Sequence, residues 1–136
     1  MRPITLGFLL AAATGCGPTV VKITMNADNN SGQKGFAEIT DRGARGISVT
    51  VETNTPEYTE VPQNAHIHTG NCGEVGEIAG ALNPLKALTD KPDRYGSTTE
   101  LPSFPFSNFK AGDWIINVHD PRDKLVYVSC GEIPRQ

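Results

Sequence analysis

The chain has 136 residues, with 12 Lys or Arg and 15 Asp or Glu, and a net charge of −3. This length fits one domain rather than two. A mildly acidic chain lacks the basic surface that nucleic-acid binding requires. After the N-terminal segment no apolar run long enough to span a membrane follows, so we expect the folded part to contact a membrane only through an anchor.

The first 15 residues are typical of an export signal. Arg2 supplies the positive start, and residues 4–13 form an uncharged apolar run. This run is too short for a mature transmembrane helix and suits the core of a signal peptide. Small residues then precede Cys16, which is the arrangement of a bacterial lipoprotein signal. The sequence therefore predicts cleavage before Cys16 and lipid attachment to it.

Cleavage at this point leaves 136 − 15 = 121 residues and a net charge of −4, because the removed piece carries Arg2 and no acidic residue. We expect residues 16–19 to form a lipidated tether and residues 20–136 to form a folded domain. The domain would be exported to the cell envelope or periplasm and lipid-anchored to a membrane. The alternative is an ordinary secretory signal cut nearby, which leaves Cys16 as a spare thiol.

Apolar residues alternate with polar ones in several stretches, which is the period of a β-strand. Met25 falls on such an apolar face, which favours a place in the core over a role as a ligand. Many short strands with frequent Gly and Pro between them predict an all-β antiparallel sandwich or barrel. The predicted inward sets are Val21, Ile23, Met25 and Ala27; Ile47, Val49 and Val51; Trp114, Ile116 and Val118; and Val126, Val128 and Cys130.

Three connections stand out between these strands. Residues 41–46 predict a hairpin loop because they contain two Gly and an Asp between apolar runs. Residues 83–96, which are rich in Pro and Gly, predict a longer irregular connection with a short helical turn near residues 85–88. Residues 102–112 predict another loop that leads into the strand starting at Trp114.

Cys72 and Cys130 remain as an even pair once Cys16 is assigned to the anchor. In an oxidising compartment such a pair predicts a disulfide. The bridge would close a loop of 130 − 72 = 58 residues, for which chain entropy gives about 4 kcal/mol. The alternative is two thiolate metal ligands. It is disfavoured because neither Cys belongs to a C-x-x-C pair and three His offer a better site.

All three histidines of the chain lie in two short strand-like segments. His66 and His68 would project from one face of a strand, about 6.5–7 Å apart, and His119 faces away from Trp114 and Val118 of its own strand. A disulfide would draw the segments together, because Cys72 follows His68 closely and Cys130 follows His119. Neutral imidazoles suit Cu, Zn, Ni and Fe, so the pattern predicts a metal site. The alternative is that the H-x-H pair is only surface polarity.

Residues 65–72, Ala-His-Ile-His-Thr-Gly-Asn-Cys, resemble the copper-ligand strand of the Cu/Zn superoxide dismutases, an H-x-H followed by a disulfide Cys. Residues 117–120 and 130–133 resemble the last copper-ligand strand and the second disulfide Cys of that family. The same motifs, with the run 110–119, also resemble the CHRD (chordin) domain. The resemblance implies a Greek-key antiparallel β-sandwich with one disulfide and one copper position, whose ligands would be His66, His68 and His119.

The chain departs from the dismutases at the second metal. Ala81 stands where the family has its bridging His, and three His in total leave none for zinc. Tyr127 stands where the family has an Arg that guides the anionic substrate. Asp123, four residues after His119, matches an Asp that orients metal-bound imidazoles by accepting their distal N–H, and Asp120 is a weaker candidate. The resemblance therefore implies one copper ion per chain, no zinc and little dismutation.

These inferences favour an exported copper-binding lipoprotein over an enzyme. It would buffer, scavenge or deliver copper, in exchange with a copper donor or acceptor protein. One alternative is a copper-only superoxide dismutase of weak activity. Another is a zinc hydrolase or hydratase, for which the sequence offers no convincing general base. A third is a CHRD-like structural domain that keeps the fold without a metal.

Overall fold

The computed structural model describes residues 17–136, so the predicted signal peptide and Cys16 lie outside the described residues. Within this range the chain forms eight β-strands, two short 3-10 helices and no α-helix. No helix in the same range is long and apolar enough to cross a membrane. The strands are β1 Val20–Ala27, β2 Gly35–Asp41, β3 Ile47–Asn54, β4 Gln63–Asn71, β5 Glu74–Ala87, β6 Arg94–Leu101, β7 Trp114–His119 and β8 Tyr127–Ile133.

The strands close one antiparallel barrel in the order β1-β2-β3-β6-β5-β4-β7-β8. Two of the pairings are short, because β1 meets β8 only at Asn26 and Ala27, and β5 meets β6 only at Lys86 and Ala87. The barrel therefore has two well-paired walls that join along narrow seams. The all-β antiparallel prediction is confirmed. The predicted Greek-key sandwich is not confirmed, because the two walls are joined into a closed barrel.

Alternation of apolar and polar residues builds the barrel interior. On β1 the alternate residues Val21, Ile23 and Met25 are buried while their neighbours are exposed. Met25 is fully buried, which confirms its predicted place in the core. Ala27 is exposed, contrary to prediction, because it lies where β1 leaves its own wall to pair with β8. Of the residues predicted to point inward on the other strands, Ile47, Val49, Val51, Ile116, Val118 and Val128 are buried in the core. Trp114 and Val126 are only partly buried. Cys130 is buried on the opposite face, because the register of the β7–β8 pair shifts between Val118 and His119 and places Cys130 beside Asn117.

Aromatic rings close one end of the barrel. Phe104 stacks on Phe109 with ring centroids 5.5 Å apart, and Trp114 meets both rings edge-on at 5.9 and 5.8 Å. Phe104 and Phe109 belong to the connection between β6 and β7, which was predicted as a loop and contains the 3-10 helix Phe106–Lys110. Burial of these rings holds the connection against the barrel without a regular element.

Two side-chain amides close the opposite end. Gln33 Nε2 donates to Gln63 Oε1 at 2.7 Å, and Gln63 Nε2 donates back to Gln33 Oε1 at 2.9 Å. The remaining hydrogens go to Thr53 Oγ1 at 2.9 Å and to the His119 carbonyl oxygen at 3.3 Å. Both Gln side chains are buried and all their polar atoms are paired, so their desolvation is compensated. The network ties the start of β4 to the end of β7.

The prediction of an irregular connection with a helical turn is wrong over residues 83–87. These residues continue β5, and only residues 88–93 form a turn before β6. The pairing shifts from Ala65↔Leu82 to Gln63↔Leu85, which places one extra residue on β5 beside Pro84. Pro is tolerated at such a bulge because its missing N–H is not needed for the ladder. Pro84 therefore does mark an irregularity, but the irregularity is a bulge within β5 rather than the end of a strand.

The hairpin loop predicted at residues 41–46 is confirmed between β2 and β3. The Asp41 carboxylate accepts the backbone N–H of Gly43 at 2.8 Å. Gly46 has a φ of +73°, and a Cβ there would collide with the carbonyl oxygen of Leu101. Both features require Gly at this position.

Candidate metal centre

The three histidines project from the outer face of the wall that β4, β7 and β8 form. Across the β4–β7 ladder His66 faces Asn117, and across the β7–β8 ladder Cys130 faces Asn117 and Tyr127 faces His119. Side chains at opposed positions share a face of the sheet. The strand register thus gathers polar groups on one outer patch while the alternate residues fill the core.

His66, His68 and His119 converge as the sequence predicted. One ring nitrogen from each lies within 4.8 Å of the other two, and His66 Nδ1 is 2.9 Å from His119 Nε2. A metal bound at about 2.0–2.1 Å from each nitrogen would hold the nitrogens about 3.3–3.6 Å apart. The three rings therefore need only small shifts to bind one ion.

Main-chain carbonyls set the orientation of two of the rings. His68 Nδ1 is 3.0 Å from the Gly76 oxygen, and His119 Nδ1 is 2.6 Å from the Lys124 oxygen. Because a carbonyl only accepts, both rings carry a proton on Nδ1 and present Nε2 as a lone pair. His68 Nε2 is buried and has no hydrogen-bond partner. This donor set fits a metal that takes imidazole ligands.

Asp123 was predicted to orient a histidine ring, but in the structure the main-chain carbonyl of its neighbour Lys124 orients His119. The Asp123 carboxylate accepts the backbone N–H of Leu125 at 2.9 Å, while the Lys124 carbonyl accepts from His119. Asp120, the weaker candidate, forms an ion pair with Arg122 at 2.9 Å. The turn geometry of the β7–β8 connection directs a main-chain oxygen at the ring, a contact that side-chain identity alone does not reveal.

Unpaired buried polar atoms are concentrated at this site. Among residues 17–136, the buried side-chain atoms without a partner are His68 Nε2, Asn117 Nδ2 and Asn117 Oδ1. Leaving such an atom unpaired costs about 1–3 kcal/mol. Buried polar atoms without hydrogen bonds are expected at positions where a residue is kept for function rather than for stability. Asn117 was not predicted as a site residue, although its spacing of two from His119 places both on one strand face.

Burial lowers the pKa of His66 and of His119 and so favours their neutral forms. The pKa of His66 is lowered by burial first, and then by the positive charges that His119 and His68 would carry. The pKa of His119 is also lowered by burial, against the opposing effect of its hydrogen bond to the Lys124 carbonyl. A neutral imidazole is the form that binds a metal. The lowered pKa values of His66 and His119 therefore favour metal binding by these two rings at neutral pH.

A disulfide and a tyrosine enclose the site. The predicted Cys72–Cys130 bridge is confirmed, with the two Cα atoms 5.9 Å apart. It joins the β4–β5 turn to β8. The bridge therefore links the end of the strand that carries His66 and His68 to the strand that flanks His119. The Tyr127 ring lies 5.0 Å from the His119 ring and packs edge-on against it. The disulfide and the Tyr127 ring thus restrict the positions of the histidine rings from two sides.

Ala81 of β5 is paired with His66, on the side of β4 that lies away from β7. At the position where the dismutases have their bridging His, this chain thus has only the methyl side chain of Ala81, next to the strand that carries His66. Among the described residues, one cluster of three or more potential ligands forms, and it contains the three histidines alone. A cluster of this size could hold one ion.

Comparison of the chain with models of protein families, with curated proteins and with solved structures finds no match. The likeness to the Cu/Zn superoxide dismutases and to the CHRD domain therefore rests on the motifs at residues 65–72, 110–120 and 130–133. The chemistry of the site rests on the three imidazoles and their surroundings.

Proposed function

We propose that this protein is an exported copper-binding lipoprotein that buffers, scavenges or delivers one copper ion outside the cytoplasm. His66 Nδ1, His68 Nε2 and His119 Nε2 would hold the ion. The observation that carries the proposal is the convergence of one ring nitrogen from each histidine within 4.8 Å. The buried lone pair of His68 supports it further, because no described residue of the protein supplies a hydrogen-bond partner for that atom.

An all-imidazole donor set supports copper as the metal. Magnesium and calcium prefer oxygen ligands, and three neutral imidazoles suit Cu or Zn. A catalytic zinc centre additionally needs a base or acid beside the metal. Among residues 17–136 no hydrogen bond joins a carboxylate to the three rings, and the nearby Asp120 and Asp123 are held by Arg122 and Leu125. Bound copper would supply a one-electron redox centre.

The fold is consistent with a Greek-key domain like that of the dismutases and the CHRD proteins. The non-consecutive neighbours β3–β6 and β4–β7 require two crossing connections between the walls. The disulfide from the end of the H-x-H strand to the last strand supports the same relationship. We propose that this chain is a mononuclear relative of that fold, in which Ala81 stands in place of a bridging ligand.

The N-terminal sequence supports attachment to a membrane by lipid. Cys16 follows small residues and an apolar run, and residues 16–19 would tether the domain close to the surface. Mass spectrometry of the native envelope protein should find the chain starting at a lipidated Cys16. A Cys16→Ser variant should lose the lipid mass. Lipid retained in that variant would contradict this part of the proposal.

Weak copper-dependent superoxide dismutation is a second candidate function. It is favoured by the partial exposure of His66, which leaves one side of the cluster reachable by a small molecule. The decay of superoxide with the copper-loaded protein, compared with equal free copper, measures this activity. A rate near the diffusion limit would move the assignment from binding to catalysis.

Copper loading of the purified domain tests the main proposal. The wild-type domain should bind one copper ion per chain and no zinc, as measured by elemental analysis after dialysis. A His66→Ala, His119→Ala double variant should bind none. A Ser48→Ala variant on the opposite wall, where Ser48 only bonds the exposed Glu100, should bind as the wild type does. Copper uptake equal in all three proteins would refute the site, and no uptake in the wild type would favour a structural domain without metal.

A further inference from the structure

Asn117 lies at the centre of the patch that carries the three histidines. It faces His66 on one neighbouring strand and Cys130 on the other. His119 is two residues further along the same strand and so shares its face. The side chain of Asn117 therefore lies on the histidine face of β7, between His66 of β4 and the disulfide residue Cys130 of β8.

The amide of Asn117 is unusual because it is buried and has no partner. Asn117 is 0% exposed, and neither Nδ2 nor Oδ1 makes a hydrogen bond. An apolar residue would fill this position without leaving unpaired polar atoms, as the fully buried Ile115 does two residues earlier on the same face. The amide costs stability in the metal-free protein, which points to a partner that arrives with the ligand.

We propose that Asn117 is the fourth donor of the copper site, with Oδ1 directed to the metal and Nδ2 donating to an oxygen ligand of the same ion. This inference rests on the proposed copper function. An amide oxygen is a hard donor, which favours Cu(II) over the softer Cu(I). Asn117 would therefore set the preference of the site between the two oxidation states, while the imidazoles set its overall affinity.

Three substitutions at Asn117 separate a donor from a structural residue. Asn117→Leu removes both polar atoms and keeps a branched shape, so Cu(II) affinity should fall about 10- to 100-fold while Cu(I) affinity stays unchanged. Asn117→Asp supplies a stronger oxygen donor of the same shape and should raise Cu(II) affinity. Asn117→Ala removes the amide and adds no volume, and it replaces the Leu variant if that variant does not fold.

Stability of the metal-free protein gives an independent readout. Asn117→Leu should raise the melting temperature because it removes the unpaired amide, and Asn117→Asp should lower it because it buries a charge. Asn83→Leu is a control at an exposed and hydrogen-bonded asparagine, since the Asn83 amide donates to the Thr98 carbonyl at 2.8 Å. This control should lower the melting temperature and leave both copper affinities unchanged.

The experiment is a competition titration of each protein with Cu(II) and, under reducing conditions, Cu(I), together with the Cu(II) electron paramagnetic resonance spectrum. A weaker Cu(II) affinity and an altered spectrum in Asn117→Leu support the inference. A Cu(II) affinity and spectrum equal to those of the wild type would overturn it and leave the copper function standing. A wild-type protein that binds no copper would overturn both, so the two failures are distinguishable.

Discussion

Removal of the Cys72–Cys130 disulfide should cost a large part of the stability of the domain. The bridge spans 58 residues of sequence, and the loop-entropy relation gives about 14 cal/mol/K for a loop of that length, or about 4 kcal/mol at 25 °C. Domains of this size have about 5–15 kcal/mol in total. Unfolding entropy of about 2.1 cal/mol/K per residue over residues 17–136 converts this loss into a fall of about 16 °C in melting temperature.

Guanidinium denaturation of the wild type and of a Cys72→Ser, Cys130→Ser double variant measures this difference. Ser129→Ala is the control on the same strand, because it removes only the hydrogen bond to the Asn26 carbonyl and should cost about 1 kcal/mol. The double variant should also bind copper more weakly, since the bridge holds β8 against the turn that follows His68. A loss no larger than that of the control would refute the loop-entropy reasoning.

Three further predictions follow from the packing and the charges. The lowered pKa values of His66 and His119 mean that the unfolded chain binds more protons below about pH 6.5, so stability of the metal-free protein should rise with pH up to that value and then level off; a flat profile in chemical denaturation would contradict this. Gln63→Leu leaves the Gln33 amide without its partner and should cost about 1–3 kcal/mol, with a weaker copper affinity by titration; unchanged stability would show that the amide pair holds nothing. Gly131→Ala would place a Cβ 2.7 Å from atoms of β1 and should cost about 1–3 kcal/mol or more, checked by thermal denaturation against Gly73→Ala, which meets no such contact.

The strand pattern and the histidine cluster could be predicted from the sequence for simple physical reasons. Alternating apolar residues fixed the inward faces of β1 and β3, because a strand turns successive side chains to opposite sides. The spacing of His66 and His68 put two imidazoles on one face in the same way. The even pair of cysteines predicted the bridge, which then explained how a distant strand brings His119 to the site.

Features that depend on three-dimensional register were not readable. Pro84 signals an interruption, but only the pairing of β5 with its neighbours shows that the interruption is a bulge. The orienting oxygen for His119 comes from the Lys124 main chain, and every residue type has a carbonyl. Asn117 shares a face with His119, yet its missing hydrogen bonds become visible only when both neighbouring strands are in place.

The metal content of the purified domain tests the central claim most directly. Elemental analysis after anaerobic copper loading and exhaustive dialysis should find one copper ion per chain in the wild type and none when His66 and His119 are both replaced by Ala. Two metals per chain, or copper uptake unchanged by the double substitution, would contradict the account.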